Sequence, residues 1–137
     1  MPKLRHIALN CDDPAAAAEF YKRVFDMQEV GRSGDANTQR ITLTDGDLNI
    51  TVLKYLTDER ADRGDGLGPV KGLHHFGFWV EDMEETRRRL NEVEAELVRN
   101  LGDADSERGQ EDRWRGPDKV IFDVRTSGWN GARPPTE

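Results

Sequence analysis

Leu4-Arg5-His6-Ile7-Ala8-Leu9-Asn10-Cys11-Asp12-Asp13 returns 69 residues later as Leu73-His74-His75-Phe76-Gly77-Phe78-Trp79-Val80-Glu81-Asp82. Each copy alternates like a strand and runs into an Asp able to cap a helix. A repeat at half the chain length means that one supersecondary unit is used twice. In the first copy Asp13 caps, Pro14 suits the first helical position, and Phe20, Tyr21, Val24 and Phe25 give the helix one buried stripe. In the second, Asp82 and Glu85 have capping-box spacing, and Met83, Thr86, Leu90, Val93 and Leu97 form a helical-period face.

The correspondence resumes where Thr44-Asp45-Gly46-Asp47-Leu48-Asn49-Ile50-Thr51-Val52 lies over Gly116-Pro117-Asp118-Lys119-Val120-Ile121-Phe122-Asp123-Val124. Each stretch is a tight turn feeding a last strand. Between helix and last strand there is room for two more strands per half, at 28–32 and 39–44, then at 96–100 and 110–115. The chain is therefore an α+β protein of two βαβββ modules. Module one covers about 3–56, a Gly- and charge-rich linker 57–70, module two 71–125, and 126–137 is a tail with a mobile end.

Length and charge narrow the function. The chain of 137 residues matches one domain. Its net charge of −7 repels polyanions, which argues against nucleic acid or an anionic membrane as partner. Arg87-Arg88-Arg89 sits among Glu84, Glu85, Glu92 and Glu94 and reads as an ion-paired solvent face. With no apolar signal core and no membrane-length stretch, a cytoplasmic protein is expected. The single cysteine, Cys11, excludes an internal disulfide or a thiolate zinc site.

Two of the three histidines, His6 and His75, occupy the same place in the two copies. Strand alternation puts both on the face opposite the large apolar side chains, which should pack on the helices. Asp123 projects to that same face, and between Phe122 and Val124 it needs a partner. Singly, each could be a hydrogen-bonded residue at a strand start. Together, in repeat-equivalent places, they point to one divalent metal ion held by His6, His75 and Asp123. His74 points with Phe76 toward the helix side, as a structural histidine.

These residues give the chain a resemblance to the vicinal oxygen chelate superfamily, which holds glyoxalase, extradiol dioxygenases, methylmalonyl-CoA epimerase and the bleomycin-resistance proteins. The carriers are Arg5-His6-Ile7-Ala8-Leu9 with Asp13-Pro14 and Phe20-Tyr21, His75-Phe76-Gly77-Phe78 with Val80-Glu81-Asp82, and Gly116-Pro117-Asp118 before Ile121-Phe122-Asp123-Val124. The resemblance implies an eight-stranded, cup-shaped mixed sheet with helices on its outer face, metal ligands on strands one, four, five and eight, and a homodimer. Three of those places carry His6, His75 and Asp123; the fourth falls on Thr51, no usual ligand. A set of two histidines and one carboxylate suits Fe(II) and a dioxygenase, the reading slightly favoured. Zn, Ni, Co or Mn serving a lyase, isomerase or epimerase is the alternative, and a metal-free drug-binding protein of the bleomycin-resistance type is a further one. Asn10, Asn49, Thr51 and Trp79 are candidates to contact a small substrate with adjacent oxygens, with Arg40 and Trp114 behind them. No general base stands out.

Overall fold

The two copies of the repeated strand lie antiparallel at the centre of one sheet, as β1 (Lys3–Asn10) and β5 (Gly72–Trp79). The computed structural model of the chain describes residues 1–34, 38–56 and 71–135; the linker expected at 57–70 lies outside them. Each central strand leads into a helix, α1 (Pro14–Phe25) or α2 (Met83–Glu92). The other strands are β2 (Gln28–Gly34), β3 (Thr38–Thr44), β4 (Asn49–Tyr55), β6 (Glu96–Gly102), β7 (Glu111–Arg115) and β8 (Ile121–Arg125). The sheet order is β2-β3-β4-β1-β5-β8-β7-β6, with β4 parallel to β1 and β8 parallel to β5. The expected α+β fold of two βαβββ modules is what forms, as an open eight-stranded sheet.

Both helices start where the sequence caps them. Asp13 accepts from the Ala16 amide at 3.1 Å, and Asp82 from the Glu85 amide at 3.0 Å. Their apolar faces differ from expectation. The small residues Pro14 and Ala18 seat α1 on the sheet, with Ala17 and Tyr21 beside them, while Phe20, Val24 and Phe25 are exposed. In the second half α2 ends at Glu92, so Val93 and Leu97 fall outside it and stay exposed. The arginine run is also more than a solvent face. Arg88 and Arg89 pair with Glu85, but Arg87 reaches the buried Asp112 of β7 at 2.7 Å and ties α2 to the sheet.

Strand alternation divides the sheet into two faces. Ile41, Leu43 and Val52 pack under α1, and Val80, Trp114 and Val124 under α2. The opposite face is polar and lines a cavity to which every strand contributes. Two register shifts interrupt the β1–β5 pairing, with Arg5 the extra residue on β1 and His74 the extra residue on β5. That bulge overturns the placement of His74 on the helix side: it is buried against Tyr55 and His75 instead.

The segment after β8 is no loose tail. It crosses back to module one, where Thr44 donates to the Gly131 carbonyl, Asn49 to Asn130, and Arg5 to Arg133. Gly128 makes this turn with φ of 69°, and a Cβ there would stand 2.3 Å from the Trp79 ring. No helix among the described residues is long and apolar enough to cross a membrane.

Gly46 has φ of 96° with open space around it, so Gly46→Ala should cost only the backbone strain, about 1 kcal/mol. Gly128→Ala adds the clash with Trp79 and should cost at least about 2 kcal/mol in urea unfolding. Equal losses in the two variants would mean that the segment after β8 is not packed as described.

Candidate functional site

Gly77 is the residue around which the site is arranged. It faces His6 across β1 and Asp123 across β8, and His75 lies two residues earlier on its own strand face. With no side chain on Gly77, the neighbouring groups reach into the gap. His75 Nε2 lies 3.2 Å from His6 Nε2 and 3.2 Å from Asp123 Oδ2. Trp129 fills the remaining space and stacks on His6, with centroids 4.7 Å apart and planes 7° from parallel. A Cβ on Gly77 would stand 2.7 Å from that indole and 3.1 Å from the His6 Cβ.

The hydrogen bonds fix the protons. Asn49 donates its amide nitrogen to the Asn130 carbonyl at 2.8 Å, which turns its Oδ1 toward His6. That oxygen accepts from the Thr51 hydroxyl at 3.0 Å and from His6 Nδ1 at 2.6 Å. His6 therefore carries its proton on Nδ1 and presents a bare lone pair at Nε2. Burial keeps it neutral, bringing its pKa down to about 4 against the opposing pull of Asp123. His75 is likewise held well below the ordinary value by burial and by Arg113. Its Nδ1 meets His74 Nδ1 at 2.7 Å. Three electron-pair donors thus face one gap, with room for one shared proton or one cation.

Asp123 is committed elsewhere as well. Arg113 on β7 donates through Nε to Oδ1 at 2.7 Å and through Nη2 to Oδ2 at 3.1 Å, and both residues are buried. Such a two-point pair is strong and directional. Two residues along the same face is Glu111, 3% exposed, near Arg108 at 3.3 Å and Arg125 at 4.0 Å. Burial, helped by the charge of Asp123, pushes its carboxyl up to about 7 against the opposing pull of these arginines.

The cavity has a volume of about 660 Å³. Asn49, Thr51 and Arg40 line it together with His6, His75 and Asp123. Three other sequence candidates lie elsewhere. Asn10 sits at the far end of β1 opposite Gly72, Trp79 packs on Gly128 and donates to the Thr126 carbonyl, and Trp114 is in the core under α2. The sequence reading missed Glu111, Arg113, Arg125, Trp129 and Asn130. A signal for two of them was available: if Trp114 faces the helix, Glu111 and Arg113 must face the cavity.

The family described as Glyoxalase/Bleomycin resistance protein/Dioxygenase superfamily matches the chain over residues 3–122. The chain belongs to this family. No curated protein matches it significantly in sequence. Among solved structures it is similar to a methylmalonyl-CoA epimerase in complex with methylmalonyl-CoA and NH4+, at TM-score 0.72 and 15% identity over 98% of this chain and 99% of that one. It is also similar to methylmalonyl-CoA epimerase from Mycobacterium tuberculosis, at TM-score 0.68 and 21% identity over 97% and 89%. A variant of the Streptomyces coelicolor epimerase in complex with 2-nitronate-propionyl-CoA gives TM-score 0.71 and 16% identity over 91% and 96%. At these identities the likeness is one of fold.

Glyoxalase-family chemistry raises the question of a metal. Among the described residues no three His, Cys, Asp or Glu side chains stand as a ready metal cluster. The donors nevertheless suit one: His6 Nε2 has no proton, both imidazoles are kept neutral, and the two 3.2 Å spacings match neighbouring donors on one ion, roughly 3.0–3.4 Å apart. The fit is of the donor set, with Asp123 shared with Arg113.

The buried titrating groups leave a mark on stability. Glu111 holds its proton more tightly in the folded chain, so stability from this group falls as pH rises from the ordinary carboxyl value, 4.5, to about 7. His6 acts oppositely, with stability lost as pH falls from 6.5 toward 4. In Glu111→Gln the histidine contribution is unchanged. Urea unfolding at pH 5 and pH 8 should therefore show the variant gaining on the parent at pH 8 by on the order of 1–3 kcal/mol. An identical difference at both pH values would place the Glu111 proton elsewhere.

Proposed function

We propose that the chain is a proton-transfer enzyme, an isomerase, epimerase or lyase, acting on a small substrate whose carbonyl makes a neighbouring C–H acidic. The observation that carries this reading is a buried carboxyl, Glu111, in the same cavity as the His6, His75 and Asp123 donors. A general base works best when its pKa lies near the working pH, and burial sets Glu111 at about 7. The sequence leaned to oxygenase chemistry because Thr51 stands where a fourth ligand would be, and it offered no general base for the alternative. Glu111 moves the balance to the alternative, and the epimerase names of the fold relatives lie on the same side by analogy.

A divalent ion held by His6, His75 and Asp123 would supply a Lewis acid that polarises the substrate carbonyl. The rest is done by the chain. Glu111 in its carboxylate form takes the proton and the C–H electron pair remains on the substrate as an enolate; return of the proton to the same face gives exchange, and its return to the neighbouring carbon or to the opposite face gives the isomer or epimer. Arg108 and Arg125 steady the carboxylate between these steps. Asn49 locks the His6 tautomer, Arg113 orients Asp123, and Trp129 keeps water from one face of His6. Residues of both modules line the cavity. Five arginines in the lining also disfavour the drug-binding alternative for cationic ligands.

Protein purified without chelator should carry about one divalent ion per chain, measured by atomic emission, and His75→Ala should lose it. Metal content unchanged in both His6→Ala and Asp123→Ala would remove these residues from the ligand set.

Incubated in D2O with a panel of 2-substituted carboxylic acids and acyl thioesters, protein loaded with Zn or Co should exchange the α-proton of one class, read by NMR. The rate should fall toward acid pH, where Glu111 takes up its proton. Glu111→Gln should slow exchange by roughly 100-fold or more. Oxygen uptake on a phenolic substrate by Fe(II)-loaded protein, with no exchange across the panel, would restore the dioxygenase reading.

A further inference from the structure

The chain as a whole is acidic, yet the cavity is not. Its lining holds five arginines against three carboxyl groups, in a protein whose net charge is −7. Most of that positive charge is matched internally. Arg113 is engaged by Asp123, and Arg108 and Arg125 stand around Glu111. Arg40 differs. It projects from β3, between Ser33 on β2 and Leu53 on β4, on the wall opposite β7. Its Nε is buried and has no hydrogen-bond partner among the described residues.

A buried N–H of a guanidinium without an acceptor is costly, and its fork geometry matches a carboxylate. Its charge is felt at His75, so it stands within electrostatic reach of the donors at the floor. We infer that Arg40 is the anchor for a carboxylate carried by the substrate. The substrate then spans the cup, its carboxylate on the β3 wall and its reacting carbon over the floor toward Glu111. This rests on the proposed function for the position of the reacting carbon, but not for the anchor itself. A lone fork satisfies one carboxylate, whereas a phosphate would call for the arginines that Asp123 and Glu111 already occupy.

The test is calorimetric titration of the full chain with malonate and with inorganic phosphate, which needs no turnover. Malonate should bind the parent protein. Arg40→Gln should weaken it by roughly ten- to hundredfold, and Arg40→Lys, which keeps the charge but not the fork, should fall between. Arg40→Gln should melt no lower than the parent, since it removes an unsatisfied donor; if it fails to fold, Arg40→Lys carries the comparison. Glu111→Gln should still bind malonate, so loss of proton exchange in that variant tests the catalytic reading separately. Malonate bound equally by the parent and Arg40→Gln, no malonate binding at all, or phosphate bound tenfold more tightly than malonate would each overturn the anchor.

Discussion

The antiparallel pairing of β1 with β5 joins the two halves of the chain, and it also sets the distance between their histidines. Because His6 lies opposite Gly77 rather than opposite His75, the two imidazoles are diagonal neighbours, and their Nε2 atoms meet at 3.2 Å over a position with no side chain. Parallel addition of β8 brings Asp123 to the other side of Gly77. A shift of one residue in either pairing would turn the site's side chains to the helix face. The two bulges, at Arg5 and His74, flank the stretch in which this register holds.

What the sequence made legible follows from periodicity. Alternation along β1, β5 and β8, combined with the repeat, places His6, His75 and Asp123 on a common face, because side-chain direction in a strand is a local property. The same logic placed Asn49, Thr51 and Arg40 in the cavity. It failed for Asn10 and Trp79, which have the right face but the wrong end of the strand. How far along a strand the cavity extends depends on its neighbours, and alternation does not report that. His74 was misplaced for a related reason: a bulge adds one residue and breaks the count locally.

The residues that the sequence did not reveal are those whose role depends on distant pairing. Arg113 meets Asp123 only because β7 runs antiparallel beside β8, and Trp129 meets His6 only because the chain crosses to module one after its last strand. Glu111 is an ordinary glutamate in sequence. Its chemistry is created by burial beside Asp123 and tempered by Arg108, Arg113 and Arg125, the last of which reaches it only through the pairing of β7 with β8.

The crossing segment has a further meaning for how the site is assembled. The repeat makes the two halves alike, but Trp129, Asn130 and Gly131 are contributed by the second half alone and bind the first. They follow β8 in the chain, so all three donors lie on strands that precede the wall over His6. The pairings that gather the donors involve β1, β5 and β8 alone, whereas the indole that stacks on His6 comes from the later segment. The sheet thus sets where the donors stand, and the crossing segment sets how much of His6 is left open.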